Sequence, residues 1–343
     1  MNKDVPSVTI LIAARPDEAH VKAVSPCRAL NYPSDKVEIL IARGQQPSAQ
    51  RNAGMKAGTG ELVYFLDDDS MAQIENLRRG AAHFQDPKVQ MVGGPNICPP
   101  EAPSLERIFA MVLSSRAFAS SRARYAAVGG VRETSEKELI LCNLLARRQS
   151  LLELGGFNEA LYPNEENALM DELQKRGGKL IYDPQFFVYR RPRPTFKAFA
   201  KMLMTYGRGR AEQFRLHPTF GSALNFAPPL FLLYLAGLTG LVFFVPMWMK
   251  AVLLAPLALY ALLVLAEAVS LSMLQQPAQI VPDKTSSARS GIAERLLSGL
   301  ATAPLIVLTH VLYGFGFWRG LFTRLETTLH KSTNPITIER VVT

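Results

Sequence analysis

Two acidic clusters carry the residue types on which the chemistry of this chain can turn. Asp67, Asp68 and Asp69 stand in a row directly after the apolar run Leu62–Leu66, and Glu165 and Glu166 form a pair much further along. Three adjacent carboxylates repel one another unless a positive charge sits among them. Their hard oxygens suit a divalent cation, which one or two carboxylates can share with substrate phosphates. The triplet therefore reads as one face of a cation site whose other face carries a diphosphate. A solvated acidic turn capping a helix from Ala72 is the alternative that the triplet alone leaves open. Glu165 and Glu166 also have a plain alternative, because acidic side chains interact well with the dipole at a helix start. Their chemical use would be proton removal from an attacking hydroxyl, which contributes roughly 10²–10⁴-fold. Arg51, near the start of a helix that Ser48 would cap, is either an exposed cation or a partner for the diphosphate.

The elements around these residues read as an α/β fold. Val8–Ala14, Val37–Ala42 and Leu62–Leu66 are short apolar runs that predict buried strands, with helices between them over His20–Leu30 and Ser48–Gly58. Strand–helix–strand units at this spacing imply right-handed crossovers and a parallel sheet. Open sheets of this kind bind ligands at the carboxyl ends of their strands, which is where the Asp triplet falls. Val89–Gly93, Leu139–Leu145 and Leu180–Tyr182 predict further strands, and Arg147–Leu154 a short helix. Leu105–Phe118 has a helical apolar face that is either core or bilayer-facing. Residues 119–137 read as a mobile loop. Pro163-Asn164-Glu165-Glu166-Asn167 opens a helix over Ala168–Arg176.

Charge and hydropathy divide the 343-residue chain, which has a net charge of +9 and is 48% hydrophobic. Arg190–Arg215 alternates cations with Phe196, Phe199, Leu203 and Tyr206, the profile of an amphipathic helix in a membrane interface. Three long apolar stretches follow, Phe226–Pro246, Ala251–Leu274 and Leu296–Trp318. Each is long enough to cross a bilayer as a helix. The basic run before them should be cytoplasmic, and two crossings return Lys284, Arg289 and Arg295 to that side. A third crossing would put Arg319, Arg324, Lys331 and Arg340 outside, so either the charge rule fails there or the third stretch is re-entrant. Glu267 and His310 are ionisable groups inside apolar stretches and are candidates to pair with each other, or His310 lies on a polar bundle face. Cations that hug apolar spans favour anionic lipid over nucleic acid. The 3 cysteines, Cys27, Cys98 and Cys142, form no CxxC and indicate neither a disulfide framework nor a zinc site. Met1–Val8 lacks the apolar core of a signal peptide.

In order, the motifs resemble family 2 glycosyltransferases of the GT-A fold, in particular membrane-bound bacterial enzymes that build surface polysaccharide. The resemblance rests on the first strand ending in Ala13-Ala14-Arg15, on Gln50-Arg51-Asn52-Ala53-Gly54, and on Gly60–Asp69. It rests also on Gly155-Gly156-Phe157, Glu165-Glu166, Tyr206-Gly207-Arg208-Gly209-Arg210 and the apolar spans. It implies that Ala13, Ala14 and Arg15 hold a nucleobase. Asp67 would face the ribose, with Asp68 beside it, and Asp69, with Asp67, would ligate Mn2+ or Mg2+. Arg51, Asn52, Arg208 and Arg210 would serve the nucleotide-sugar, and Glu166, with Glu165 beside it, would be the general base. The chain departs from that pattern in three places. Glu166 stands where Asp is usual, Arg43 stands where Asp often ends the second strand, and the Gln-x-x-Arg-Trp motif of processive synthases is absent, which implies one sugar per acceptor.

The expectation is a GT-A domain over residues 1–190, with a mostly parallel sheet flanked by helices. An interfacial amphipathic region over 191–222, transmembrane helices within 223–320 and a tail over 321–343 would follow. The function expected is an inverting, metal-dependent, hexosyltransferase-like transfer from a nucleotide-diphosphate sugar to a polyprenyl-diphosphate-linked glycan at the cytoplasmic face of the inner membrane. The alternatives are a polyprenyl-phosphate glycosyltransferase and a non-catalytic, transferase-like membrane subunit.

Overall fold

The computed structural model of the chain describes residues 5–116, 122–159, 165–216, 220–273, 292–323 and 335–341. In chain order these form β1 (Val8–Ala14), α1 (Val24–Arg28), β2 (Val37–Arg43), α2 (Pro47–Ala57), β3 (Leu62–Asp67), β4 (Met71–Ala72), α3 (Asn76–His83), β5 (Val89–Gly93), β6 (Asn96–Ile97) and α4 (Ser104–Leu113). There follow α5 (Arg122–Tyr125), β7 (Arg132–Thr134), β8 (Asn143–Arg147), α6 (Arg148–Glu153), α7 (Glu165–Lys175), β9 (Lys179–Tyr182) and β10 (Val188–Tyr189). Helices α8 (Phe196–Leu216), α9 (Ala227–Leu241), α10 (Met247–Met273) and α11 (Ile292–Phe322) come next, and β11 (Thr337–Val341) is last. The chain forms two compact units, one of them assembled from residues 1–99, 120–191 and 326–343.

That first unit is an eight-stranded sheet in the order β11-β2-β1-β3-β8-β5-β9-β7. Strand β1 pairs in parallel with β2 and β3, as the apolar runs predict. The sheet as a whole is mixed rather than mostly parallel. Strand β8 runs antiparallel to both β3 and β5, and β7 and β11 are antiparallel edges. The parallel rule needs a crossover helix over the sheet, and α4, the long helix between β6 and β8, belongs to the other unit. Alternation along the central strands builds a core on each face. Ile10, Ile12, Tyr64 and Leu66 point to one side with Leu77, Phe84 and Phe186. Leu11, Val63 and Phe65 point to the other with Met55, Leu151, Phe157 and Met170. A small sheet, β4-β10-β6, stands beyond the end of β3.

Several boundaries differ from the sequence expectation. Met71–Ala72 is a strand and the helix starts only at Asn76, so the Asp triplet does not cap a helix from Ala72. The stretch read as a mobile loop contains α5 and β7, tied by Arg132 to Glu138 at 2.8 Å. The expected tail contains β11, paired to β2 from Thr337↔Arg43 to Val341↔Ile39. Short elements escape periodicity because two to five residues carry too little pattern. Pro163, Asn164, Lys284, Arg289, Arg324 and Lys331 lie outside the described residues.

The second unit holds α4, α8, α9, α10 and α11. Phe109 of α4 stacks on Phe199 of α8 with ring centroids 4.1 Å apart, so the apolar face of α4 is core. On α8, Phe199, Leu203, Gly207 and Ala211 are buried at four-residue intervals, while Phe196 and Tyr206 are exposed. Half of the stripe expected to face lipid thus faces protein. Three helices, Ala223–Leu241, Met247–Met273 and Gly299–Phe322, are long and apolar enough to cross a membrane. Glu267 and His310 take different partners. The Glu267 carboxylate accepts the Arg116 backbone N–H at 2.6 Å, and His310 Nδ1 meets the Tyr260 hydroxyl at 2.8 Å.

Candidate active site

The sheet register brings the expected nucleotide residues side by side. Ala13 lies opposite Asp67 and Ala14 opposite Arg43, all at the carboxyl ends of their strands. The first residues of α2 then fan out, because successive helical positions point in different directions. Gln50 is buried, and its Nε2 donates to the Ala14 carbonyl at 2.8 Å and the Ala42 carbonyl at 2.6 Å, tying the ends of β1 and β2. Asn52 Nδ2 donates to the Phe157 carbonyl at 2.9 Å, and its Oδ1 accepts the Phe157 N–H at 2.8 Å. Gly156 lies in the left-handed region with φ 82°, and a Cβ there would fall 2.4 Å from Asn52 Oδ1. The Gly155-Gly156-Phe157 motif is thus the receptor for Asn52.

Arg51, between Gln50 and Asn52, joins the two acidic clusters. Its Nη2 lies 3.2 Å from Asp67 Oδ1 and its Nη1 3.2 Å from Glu165 Oε1. Arg51 is 7% exposed and Glu165 2%, so the exposed-cation reading of Arg51 is set aside. Glu166, one position further round α7, is half-buried and takes no hydrogen bond or ion pair from the described residues.

A second arginine grips the Asp triplet, and sequence reasoning missed it. Arg190 Nε lies 2.5 Å from Asp69 Oδ1 and its Nη2 3.1 Å from Asp67 Oδ2. The reach follows from the small sheet, where Tyr189 of β10 pairs with Met71 of β4, just after the triplet. In the sequence Arg190 is submerged in the cation run leading to the apolar spans. Burial works against its charge, but Asp67 and Asp69 hold the guanidinium well above its ordinary pKa. Burial, and then the like charges of Asp69 and Asp67, push the Asp68 carboxyl up. Arg15 is exposed at the end of β1. Arg208 and Arg210 belong to the second unit, where Arg208 pairs with Glu212 at 3.4 Å and Arg210 donates to Gln213 at 3.0 Å.

The donor set limits what a metal could use. Among the described residues no group of three or more His, Cys, Asp or Glu could hold an ion. Asp67 and Asp69 do converge on one cationic group, Arg190. Two carboxylates fit a hard cation that takes its remaining ligands from phosphate and water, not an all-protein cage.

A mixed α/β sheet with an acidic end to its third strand, followed by apolar helices, defines a GT-A-type protein. The family model for the glycosyltransferase-like family 2 matches residues 1–205, and the chain belongs to that family. It is similar to the pre-mycofactocin glycosyltransferase of Mycobacterium tuberculosis, in strains CDC 1551 and H37Rv alike, at 27% identity over 190 residues. That match covers 53% of this chain and 38% of the relative, so the chain spans well under half the length of these curated relatives. In structure it resembles a mannosyltransferase from Pyrobaculum calidifontis solved with GDP-Man and Mn2+. The TM-score is 0.52 at 15% identity, over 93% of this chain and 88% of the other.

Proposed function

We propose that this protein transfers one sugar, with inversion, from a nucleoside-diphosphate sugar to a lipid-linked saccharide at the cytoplasmic membrane face. The observation that carries the reading is Arg51, whose two ion pairs tie Asp67 of the Asp cluster to Glu165 of the glutamate pair. Displacement of a nucleoside diphosphate builds negative charge on the leaving group. A divalent metal, Mn2+ or Mg2+, held by Asp69 and Asp67 with the diphosphate oxygens, would offset that charge. The ends of β1 and β2, braced by Gln50, provide the bed for the nucleobase near Ala13, Ala14 and Arg15, with Asp67 and Asp68 near the ribose. Arg51 and Asn52 hold this bed in shape.

The two glutamates divide the work. Glu165 is buried and committed to Arg51, which fixes the start of α7. Glu166, with no hydrogen bond or ion pair among the described residues, takes the acceptor proton during in-line attack. The apolar helices bring a lipid-borne acceptor to a water-soluble donor, as expected of surface polysaccharide biosynthesis at the inner membrane. Arg208 and Arg210 are proposed donor contacts from the basic segment.

The test gives purified protein in detergent a panel of nucleotide-sugars and a polyprenyl-diphosphate saccharide, and follows nucleoside diphosphate release. EDTA and Asp69→Ala should abolish release, and Glu166→Gln should lower it roughly 10²–10⁴-fold with unchanged thermal stability. Full turnover by Glu166→Gln would remove the base assignment and favour a polyprenyl-phosphate acceptor, whose phosphate needs no base. No donor binding with Mn2+ present would leave the non-catalytic reading.

A further inference from the structure

We infer that the chain crosses the bilayer an even number of times, with α9 and α10 as the crossings and α11 held on the side of the catalytic sheet. The inference rests on the reading of α9 to α11 as membrane helices. A sheet is held by hydrogen bonds between neighbouring strands, so all its strands lie on one side of a bilayer. Strand β11, after the apolar helices, pairs residue for residue with β2, before them. Glu38 of β2 also receives Arg340 at 2.5 Å, and Arg43 reaches Glu339 at 3.0 Å. Everything between β2 and β11 must therefore leave and return. Three helices have the length and apolarity to span. Three full crossings would strand β11 on the wrong side.

Packing within the helical unit singles out α11. Its last third is pressed backbone to backbone on α8. A Cβ at Gly207 would sit 2.1 Å from the Tyr313 carbonyl, one at Gly316 2.2 Å from that of Met204, and one at Gly320 2.5 Å from that of Arg208. Small residues permit such close approach between helices. Arg215 adds a hydrogen bond to the Gly320 carbonyl at 3.0 Å. Helix α8 carries Lys197, Lys201, Arg208, Arg210, Glu212 and Arg215, a charge density that hydrocarbon does not accept. The part of α11 from Tyr313 onward therefore shares the interfacial depth of α8. What remains between the charged Arg295 and Tyr313, Leu296–Leu312, is ~26 Å long at 1.5 Å per residue, short of the ~30 Å hydrocarbon thickness. Burial agrees, since 33% of the α11 apolar window is buried in protein against 11% for each of the others.

Helices α9 and α10 form the pair that crosses. Tyr234 donates to the Leu253 carbonyl at 2.6 Å and Phe231 meets Tyr260 with centroids 4.5 Å apart, the register of an antiparallel hairpin. Its tip, with Phe243 79%, Phe244 86% and Trp248 69% exposed, carries an aromatic belt suited to the far interface. This answers the charge conflict in the sequence, because Arg319 and Arg340 then stay on the cytoplasmic side.

The test uses the full chain in its native membrane, with single reporter cysteines at Lys56→Cys in α2, Phe244→Cys at the tip and Thr337→Cys in β11. Residues 56 and 337 are exposed, so neither reporter disturbs the core. Cys27, Cys98 and Cys142 are first replaced by serine or alanine in a background that still sediments with membranes. A membrane-impermeant maleimide is applied to intact spheroplasts and to inverted vesicles. Expected is labelling of 56 and 337 only in inverted vesicles and of 244 only in spheroplasts. Labelling of 337 in spheroplasts overturns the inference, and so does labelling of 244 only in inverted vesicles. Extraction of the protein by alkaline carbonate overturns the membrane reading itself and is scored separately.

Discussion

Arg51 answers to two carboxylates at once, and that fixes how its loss should register. With side chains 9% exposed for Arg51 and 3% for Glu165, the pair is shielded from water. Removing one partner of a buried pair costs ~3–5 kcal/mol, because the other charge is left uncompensated. Arg51→Met should lower the melting temperature on the order of 10 °C at ~2–4 °C per kcal/mol. Adding Glu165→Leu should recover stability without recovering transfer; a double variant no more stable than Arg51→Met would remove Glu165 from the account. Arg190 makes a different prediction. With Arg190→Ala, Asp69 loses its counter-charge and Asp67 keeps only Arg51, so Mn2+ should raise the melting temperature of this variant more than that of the wild type. Equal shifts, measured with and without EDTA, would detach Arg190 from the proposed cation site. At this scale the sequence showed the carboxylates and Arg51 because they follow a strand or open a helix. Arg190 was hidden because its placement depends on a two-residue strand and on pairing across 121 positions.

Among the elements, β1, β2 and β3 were legible because continuous apolar runs between polar turns have few other interpretations. Strand β8 was seen but misplaced by several residues. Its antiparallel sense was not legible, since nothing in Leu139–Leu145 records which way the chain re-enters the sheet. Glu38 shows how β2 is bound to its surroundings. Its carboxylate accepts the Thr59 N–H at 2.5 Å, the Thr9 hydroxyl at 2.6 Å, the Thr59 hydroxyl at 2.9 Å and Arg340 at 2.5 Å. Burial alone would raise the carboxyl, but these donors hold it below its ordinary value of 4.5. A depressed folded-state pKa means that the unfolded chain binds the proton first as pH falls. The stabilisation is complete above the ordinary value and is lost as pH falls through the folded one. Melting temperatures of wild type and Glu38→Gln should therefore differ most near neutral pH and converge in acid. Parallel curves would show that Glu38 does not titrate with folding.

At the scale of the whole molecule, the sheet is finished by a segment that follows all three helices long and apolar enough to cross a membrane. Contacts such as Arg340 to Glu38, 302 positions apart, close a very long loop, and closure of such loops is a slow, entropically costly step. Until it happens β2 is an open edge, which invites pairing with other chains. The same segment touches the end of the sheet proposed to bind the donor. Arg43 donates to the Glu18 carbonyl at 2.7 Å and to the Arg15 carbonyl at 3.4 Å, while its Nε is held by Glu339. In this chain the end of β2 thus organises the turn after β1 from behind. Glu339→Gln alone should change nucleotide affinity by less than about fivefold, because the Glu339 side chain is 51% exposed and such pairs contribute ~0–1 kcal/mol. A chain stopped after Thr323 loses the whole ladder. It should melt several degrees lower, form larger species by light scattering, and bind nucleotide more weakly than Glu339→Gln does. Affinity equal to that of the full chain would mean that β11 only covers an edge and takes no part in shaping the nucleotide bed.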